Sequence, residues 1–75
     1  MESYLRNLLI GIKFRKLKAT IVVLDRLSAD NKKVFGAEEI KTILKGSFIT
    51  KDGTMIPFHR ILEVRVDGKP MYKKH

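Results

Sequence analysis

Two Asp-Gly pairs, Asp52-Gly53 and Asp67-Gly68, most constrain what this chain can become. Glycine reaches left-handed backbone at no steric cost and aspartate tolerates it, so Asp-Gly beside β-forming runs marks a tight antiparallel turn. The first pair follows a strand at Ser47–Thr50, and the second separates strands at Ile61–Val66 and Lys69–Lys73. The last thirty residues therefore read as a β-meander. Pro57 lacks an amide donor and belongs at an edge, a bulge or a strand start. In the strand after it, Phe58, Arg60, Leu62, Val64 and Val66 share one side, and His59, Ile61, Glu63 and Arg65 the other. The even side is core-like except for Arg60. A bulge or bend near Pro57 would release Arg60, or its aliphatic stem would carry the guanidinium to the rim.

Upstream, Leu5, Leu8, Leu9 and Ile12 recur at i, i+3, i+4 and i+7, which predicts a helix over residues 4 to about 14. Thr20–Leu24 is short, continuous and β-branched, the pattern of a buried strand. Turn residues at Ser28-Ala29-Asp30-Asn31 then lead to a partner strand at Lys32–Phe35. Gly36 opens a second helix from Ala37 to Lys45, with Glu38 and Glu39 in its first turn, Lys41 and Lys45 later, and Gly46 to end it. Tyr4, Phe14, Phe35 and Phe48 fall at expected core positions. The expected architecture is a single α+β domain over residues 1–75. It has a mainly antiparallel sheet of about five strands and two helices, in the order α-β-β-α-β-β-β.

The residue inventory excludes much chemistry. With no cysteine among 75 residues there is no disulfide framework, thiolate nucleophile or Cys-based metal site, and the chain suits a reducing, cytoplasmic interior. The histidines are His59 and the terminal His75, too few for a metal centre. Ser47, His59 and Glu63 make a triad only on paper, without a G-x-S-x-G elbow, and no phosphate-binding glycine loop occurs. No paired H-x-T or H-x-S motif of a two-histidine phosphoesterase is present either. The expectation is a chain with no catalytic residues, no metal and no cofactor.

Charge points elsewhere. Sixteen Lys and Arg against eight Asp and Glu give a net +8, which attracts nucleic acid, anionic membrane or acidic protein. Arg6, Lys13, Arg15, Lys16 and Lys18 occur with no acid between residues 3 and 24, and Lys69, Lys73 and Lys74 with none after Asp67. If the helix end and the last strand adjoin, these cations form one basic face. RNA is the expected partner and DNA an alternative one; a solvated lysine-rich surface is the bland reading. The apolar face of the helix is more simply used as core than as a membrane anchor. His59 and Arg60 adjoin, and arginine grips phosphate bidentately, so this pair is the candidate phosphate site. Alternatively, His59 merely caps an edge strand and Arg60 pairs with Glu63 or Asp25. Phe58 and Tyr72 are the candidates for stacking an unpaired base.

The segment Gly46–Lys73, and within it Ile56-Pro57-Phe58-His59-Arg60-Ile61 followed by Glu63 and Gly68, resembles the RNA cyclic-group end recognition family of archaea and eukaryotes. Leu8-Leu9-Ile10-Gly11-Ile12-Lys13-Phe14 and Gly36-Ala37-Glu38-Glu39-Ile40 are similar to its upstream elements. Family members often carry Trp where Phe14 and Tyr72 stand, and His-Arg-Gly where this chain reads Asp25-Arg26-Leu27, so Arg26 is retained and the histidine is not. The resemblance implies binding of RNA ends that bear a 2′,3′-cyclic phosphate. His59 would donate to the phosphate, with Arg60 and Arg26 supplying charge. Lys13, Arg15, Lys16, Lys73 and Lys74 would follow the backbone. The runner-up is a small basic structural module that binds DNA or a protein partner non-specifically.

Overall fold

The computed structural model describes residues 2–74, so His75 lies outside the described residues. Helix α1 spans Glu2–Arg15. Its Leu5, Leu9 and Ile12 are buried in the core, and Leu8 packs at the margin. Among the described residues seven strands follow: β1 (Ala19–Leu24), β2 (Lys32–Gly36), β3 (Ile40–Ile43), β4 (Ser47–Thr50), β5 (Met55–Pro57), β6 (Ile61–Val66) and β7 (Lys69–Lys73). Single 3-10 turns at Ala37–Glu39 and Phe58–Arg60 precede β3 and β6. The strands form two antiparallel sheets, one of four strands in the order β2-β1-β6-β7 and one of three in the order β3-β4-β5. Helix α1 lies against β3 and both 3-10 turns. Among the described residues, no helix is long and apolar enough to cross a membrane.

This corrects the expected fold of two helices and about five strands. The predicted second helix, Ala37 to Lys45, is a 3-10 turn running into β3. Its charges do suit a helix dipole, but Ile40, Thr42 and Ile43 are β-branched, and they pair with Thr50, Ile49 and Phe48 of β4. The first Asp-Gly pair turns β4 back into the short β5, so Pro57 does lie on an edge strand, and it ends that strand instead of opening it. The chain then makes its 3-10 turn before β6, which breaks the expected alternation through residues 58–66.

Within β6 the alternation is broken again. Val22 faces Glu63 while Val23 faces Ile61, so Leu62 is an unmatched bulge residue. Ile61 and Val64 thereby both reach the core, an arrangement that strict period two forbids. Opposite, Val64 faces Tyr72 and Arg65 faces Pro70, leaving Met71 as a bulge in β7. The β6–β7 connection is the two-residue Asp67-Gly68 turn, with both residues at positive φ (52° and 82°), the geometry Asp-Gly serves best.

Candidate nucleic-acid interface

The pairing of Val23 with Ile61 sets the Phe58–Arg60 turn beside the end of β1 that leads into the Asp25–Asn31 loop. That loop is organised by Asp25, whose carboxylate accepts the Leu27 amide (3.0 Å) and the Ser28 hydroxyl (3.1 Å). Arg26 is exposed on it. The Lys74 amide donates to the bulge carbonyl of Leu62 (2.8 Å), and the Lys74 ammonium donates to the His59 carbonyl (2.7 Å). His59, Arg60, Arg26 and Lys74 thus come to one end of the four-stranded sheet, all exposed. Lys74 braces the turn with one donor and keeps the others for a ligand.

Neither expected partner of Arg60 takes it. Asp25 is committed to its own loop, and Glu63 binds Arg65 in the salt bridge found among the described residues. The Arg65 hydrogen bond, helped by the charges of Arg65, Lys73 and Lys32, holds the Glu63 carboxyl below its ordinary range against the opposing effect of burial. Lys73 faces Glu63 across β6–β7, on the sheet face opposite the core-side Tyr72.

Phe58 is a correction. Its ring is fully buried (0% exposed) on the inner side of the turn, so no base can stack on it. Its amide donates to the Gly46 carbonyl (3.0 Å), which holds the turn inward over the three-stranded sheet. Tyr72 is half-buried against the core, its ring centroid 6.4 Å from that of Tyr4. Tyr4 is itself half-exposed and donates to the Met71 carbonyl (2.8 Å), so it clips α1 to β7 instead of entering the core.

The second cluster lies where α1 ends. Lys16 adopts left-handed backbone (φ 54°), and the Leu17 amide reaches back to the Ile12 carbonyl (3.0 Å), a helix stop usually built on glycine. The Lys13 ammonium donates to the Ile40 carbonyl (3.1 Å) and ties the helix end to β3. Lys13 and Lys16 line a cleft of about 600 Å³ with Lys18, Lys51 and Glu38, over an apolar floor that includes Ile12, Leu17 and Ile40. Arg15 is exposed in the last turn of α1. Lys51 was not legible as a site residue. It is brought there by a backbone hydrogen bond from its amide to the Glu39 carbonyl (2.8 Å), which has no local sequence signal.

The expected basic face forms only in part, since Lys69 pairs with Val66, which faces Ala19, and so lies level with Lys18, while Lys74 does not. Lys18 precedes β1, whereas Lys74 meets Leu62 near the other end of that strand. Four to five residues of β1 at about 3.3 Å each set the level of Lys74 roughly 15 Å along the strand from Lys18. Phe14 is also misassigned by the expectation of a core role. It is 85% exposed, beside a trough of about 430 Å³ lined by Ile10, Lys13 and Ile43. Among the described residues, no group of three or more His, Asp or Glu side chains could hold a metal ion.

Comparison with known proteins adds relatives. No family model matches the sequence, and no solved structure matches it. The chain is 39% identical over 56 residues to UPF0248 protein MJ1316 of Methanocaldococcus jannaschii, covering 72% of this chain and 68% of that protein. It is 43% identical over 76 residues to the UPF0248 protein of Methanococcus vannielii, covering 99% of this chain and 90% of that one. With nearly its whole length aligned to such an archaeal relative, the chain belongs to the UPF0248 family.

Proposed function

We propose that this domain binds single-stranded RNA, taking a phosphate-bearing end at His59 and Arg60, and does so without catalysis. The observation that carries the reading is the lack of internal neutralisation. Against a net charge of +8, the salt bridge among the described residues removes only Arg65, and the cations of both clusters face solvent. Such charges gain most from a polyanion that releases its counterions on binding. At the His59 end, an imidazole and two guanidiniums, from Arg60 and Arg26, stand on two loops fixed by Lys74 and Asp25, which suits a terminal phosphate. The similarity to RNA cyclic-group end recognition proteins supports the same choice.

The test is a fluorescence titration of labelled single-stranded RNA at several salt concentrations. Neutralisation of about four phosphates gives a slope of log K against log salt near −2.8. No binding at low salt, or a flat slope, rejects the reading. Otherwise identical oligonucleotides ending in 2′,3′-cyclic phosphate, 3′-phosphate or 3′-hydroxyl test the end preference. Phosphorylated ends should bind about tenfold more tightly or better, as hydrogen bonds to charged groups contribute roughly 1.5–3 kcal/mol. His59→Ala and Arg60→Ala should abolish the difference. Equal affinity for all three ends rejects end recognition and leaves general RNA binding.

A further inference from the structure

The ring of Phe14 is almost bare, though the sequence offered it as core. A side chain that folding leaves in water contributes little to stability, and this one sits beside a cleft lined by four lysines. Lys13, next to it in sequence, lines both the trough beneath Phe14 and the cleft that holds Lys16, Lys18 and Lys51. Among the described residues Glu38 is the single acid in that cleft lining, so four like charges face one another around a space of about 600 Å³ with one counter-charge. Lys16 holds its place there in a left-handed conformation unfavourable for lysine. A cation groove with an adjoining exposed aromatic face is the combination by which proteins hold single strands, charge following the backbone and the ring stacking a base.

We infer that a single RNA strand crosses the C-terminal end of α1, with one base stacked on Phe14 and adjoining phosphates held in the lysine cleft. The inference rests on the RNA-binding reading, but it assigns a second contact, at the opposite end of β1 from His59 and Arg60. The occupant is a base attached to a phosphate, whether within a strand or as a free nucleotide, and the cleft chemistry is the same for both. A strand engages several of the lysines at once, so it should bind far more tightly than a mononucleotide.

The chain has no tryptophan, so Phe14→Trp provides a fluorophore at this one place. It should be titrated with oligoadenylate, with adenosine monophosphate, and with a sugar-phosphate strand of equal length lacking bases. Stacking predicts quenching by oligoadenylate at the lowest concentrations, by the mononucleotide only at much higher ones, and little quenching by the baseless strand even where anisotropy shows it bound. Phe14→Ala should weaken oligoadenylate binding by about fivefold or more and leave the salt slope unchanged. Lys18→Ala should make the slope shallower by about 0.7. The thermal midpoint of Phe14→Ala should match that of the parent, since the ring packs on little.

The outcomes separate cleanly. If the parent protein binds no RNA, the RNA-binding reading itself fails. If the parent binds but Phe14→Ala binds equally well and Phe14→Trp is not quenched, only the stacking site is overturned. If sedimentation shows a dimer that Phe14→Ala dissociates without loss of RNA affinity, the trough belongs to a second copy of the chain and the inference is again overturned.

Discussion

At the scale of single residues, Lys16 and Asp52 show how local chemistry trades against fold stability. Lys16 occupies left-handed backbone that glycine adopts without steric conflict. Lys16→Gly should stabilise the domain by about 0.5–1 kcal/mol, net of glycine's greater freedom in the unfolded chain, raising the thermal midpoint by several degrees. The same variant removes one cation from the cleft and should weaken RNA binding. Asp52 accepts the hydroxyl of buried Thr50 and the Thr54 amide (3.1 Å), and the Thr50 bond is the main reason its carboxyl stays below the ordinary range. Glu63 is lowered as well, chiefly by Arg65. Carboxyls depressed in the folded state add stability that is fully present above their unfolded values and lost as pH falls through the folded ones. Urea midpoints should therefore be level above about pH 5 and decline below about pH 4. Thr50→Val should move the Asp52 titration back toward the ordinary value, read by carboxyl-carbon NMR.

Phe14 belongs to the same scale as a lesson in reading sequence. The stripe formed by Leu5, Leu8, Leu9 and Ile12 was legible, but at about 100° per residue Phe14 lies nearly opposite its centre. The exposed aromatic was therefore readable from the helical wheel, while hydrophobicity alone argued for core. Phe58 is the reverse case. Alternation put it on the core side and burial agrees, so the wish to place a stacking ring beside His59 had no geometric basis.

At the scale of elements, α1 holds the sheets through Leu5, Leu9 and Ile12, and position on the helix sets the cost of truncation. Leu9 is fully buried, so Leu9→Ala should cost roughly 2–5 kcal/mol, while Leu8→Ala at the margin should cost clearly less. Paired urea melts of the two variants check the order. Strands β1, β2, β4, β6 and β7 were legible in runs of β-branched residues and in the Asp-Gly turns that join two hairpins. The stretch from 37 to 45 was not, because its acidic start and basic end imitate a helix dipole more strongly than four strand residues announce themselves. Nor was the β6 bulge legible. Leu62 differs from its neighbours only in how β1 meets it, a tertiary fact.

At the scale of the whole molecule, the sequence showed how much positive charge there was but not its division. Grouping Arg6, Lys13, Arg15, Lys16 and Lys18 with Lys69, Lys73 and Lys74 assumed that the helix end and the whole last strand adjoin, whereas only Lys69, at the start of β7, lies level with the start of β1. In the fold it is Tyr4, near the start of α1, that meets β7. Along β1, Lys18 and the level of Lys74 stand roughly 15 Å apart, beyond the Debye length of about 8 Å at physiological salt. Substitutions at the two ends should then act independently. The loss of RNA affinity in Lys18→Ala with Arg60→Ala should equal the sum of the single losses within about 0.5 kcal/mol, and a larger coupling would mean that the two ends do not act independently.

The two bulges and Pro70 also decide how copies of this chain meet each other. Strand β7 forms an open border of the four-stranded sheet, where a row of unpaired amides and carbonyls would ordinarily invite another strand. Here Pro70 has no amide to offer, Met71 breaks the spacing, and Lys69 and Lys73 flank the site with like charge. An incoming chain finds neither a continuous ladder to zip onto nor a neutral surface to approach. The border is self-limiting, and bringing many copies together need not seed fibrils through it.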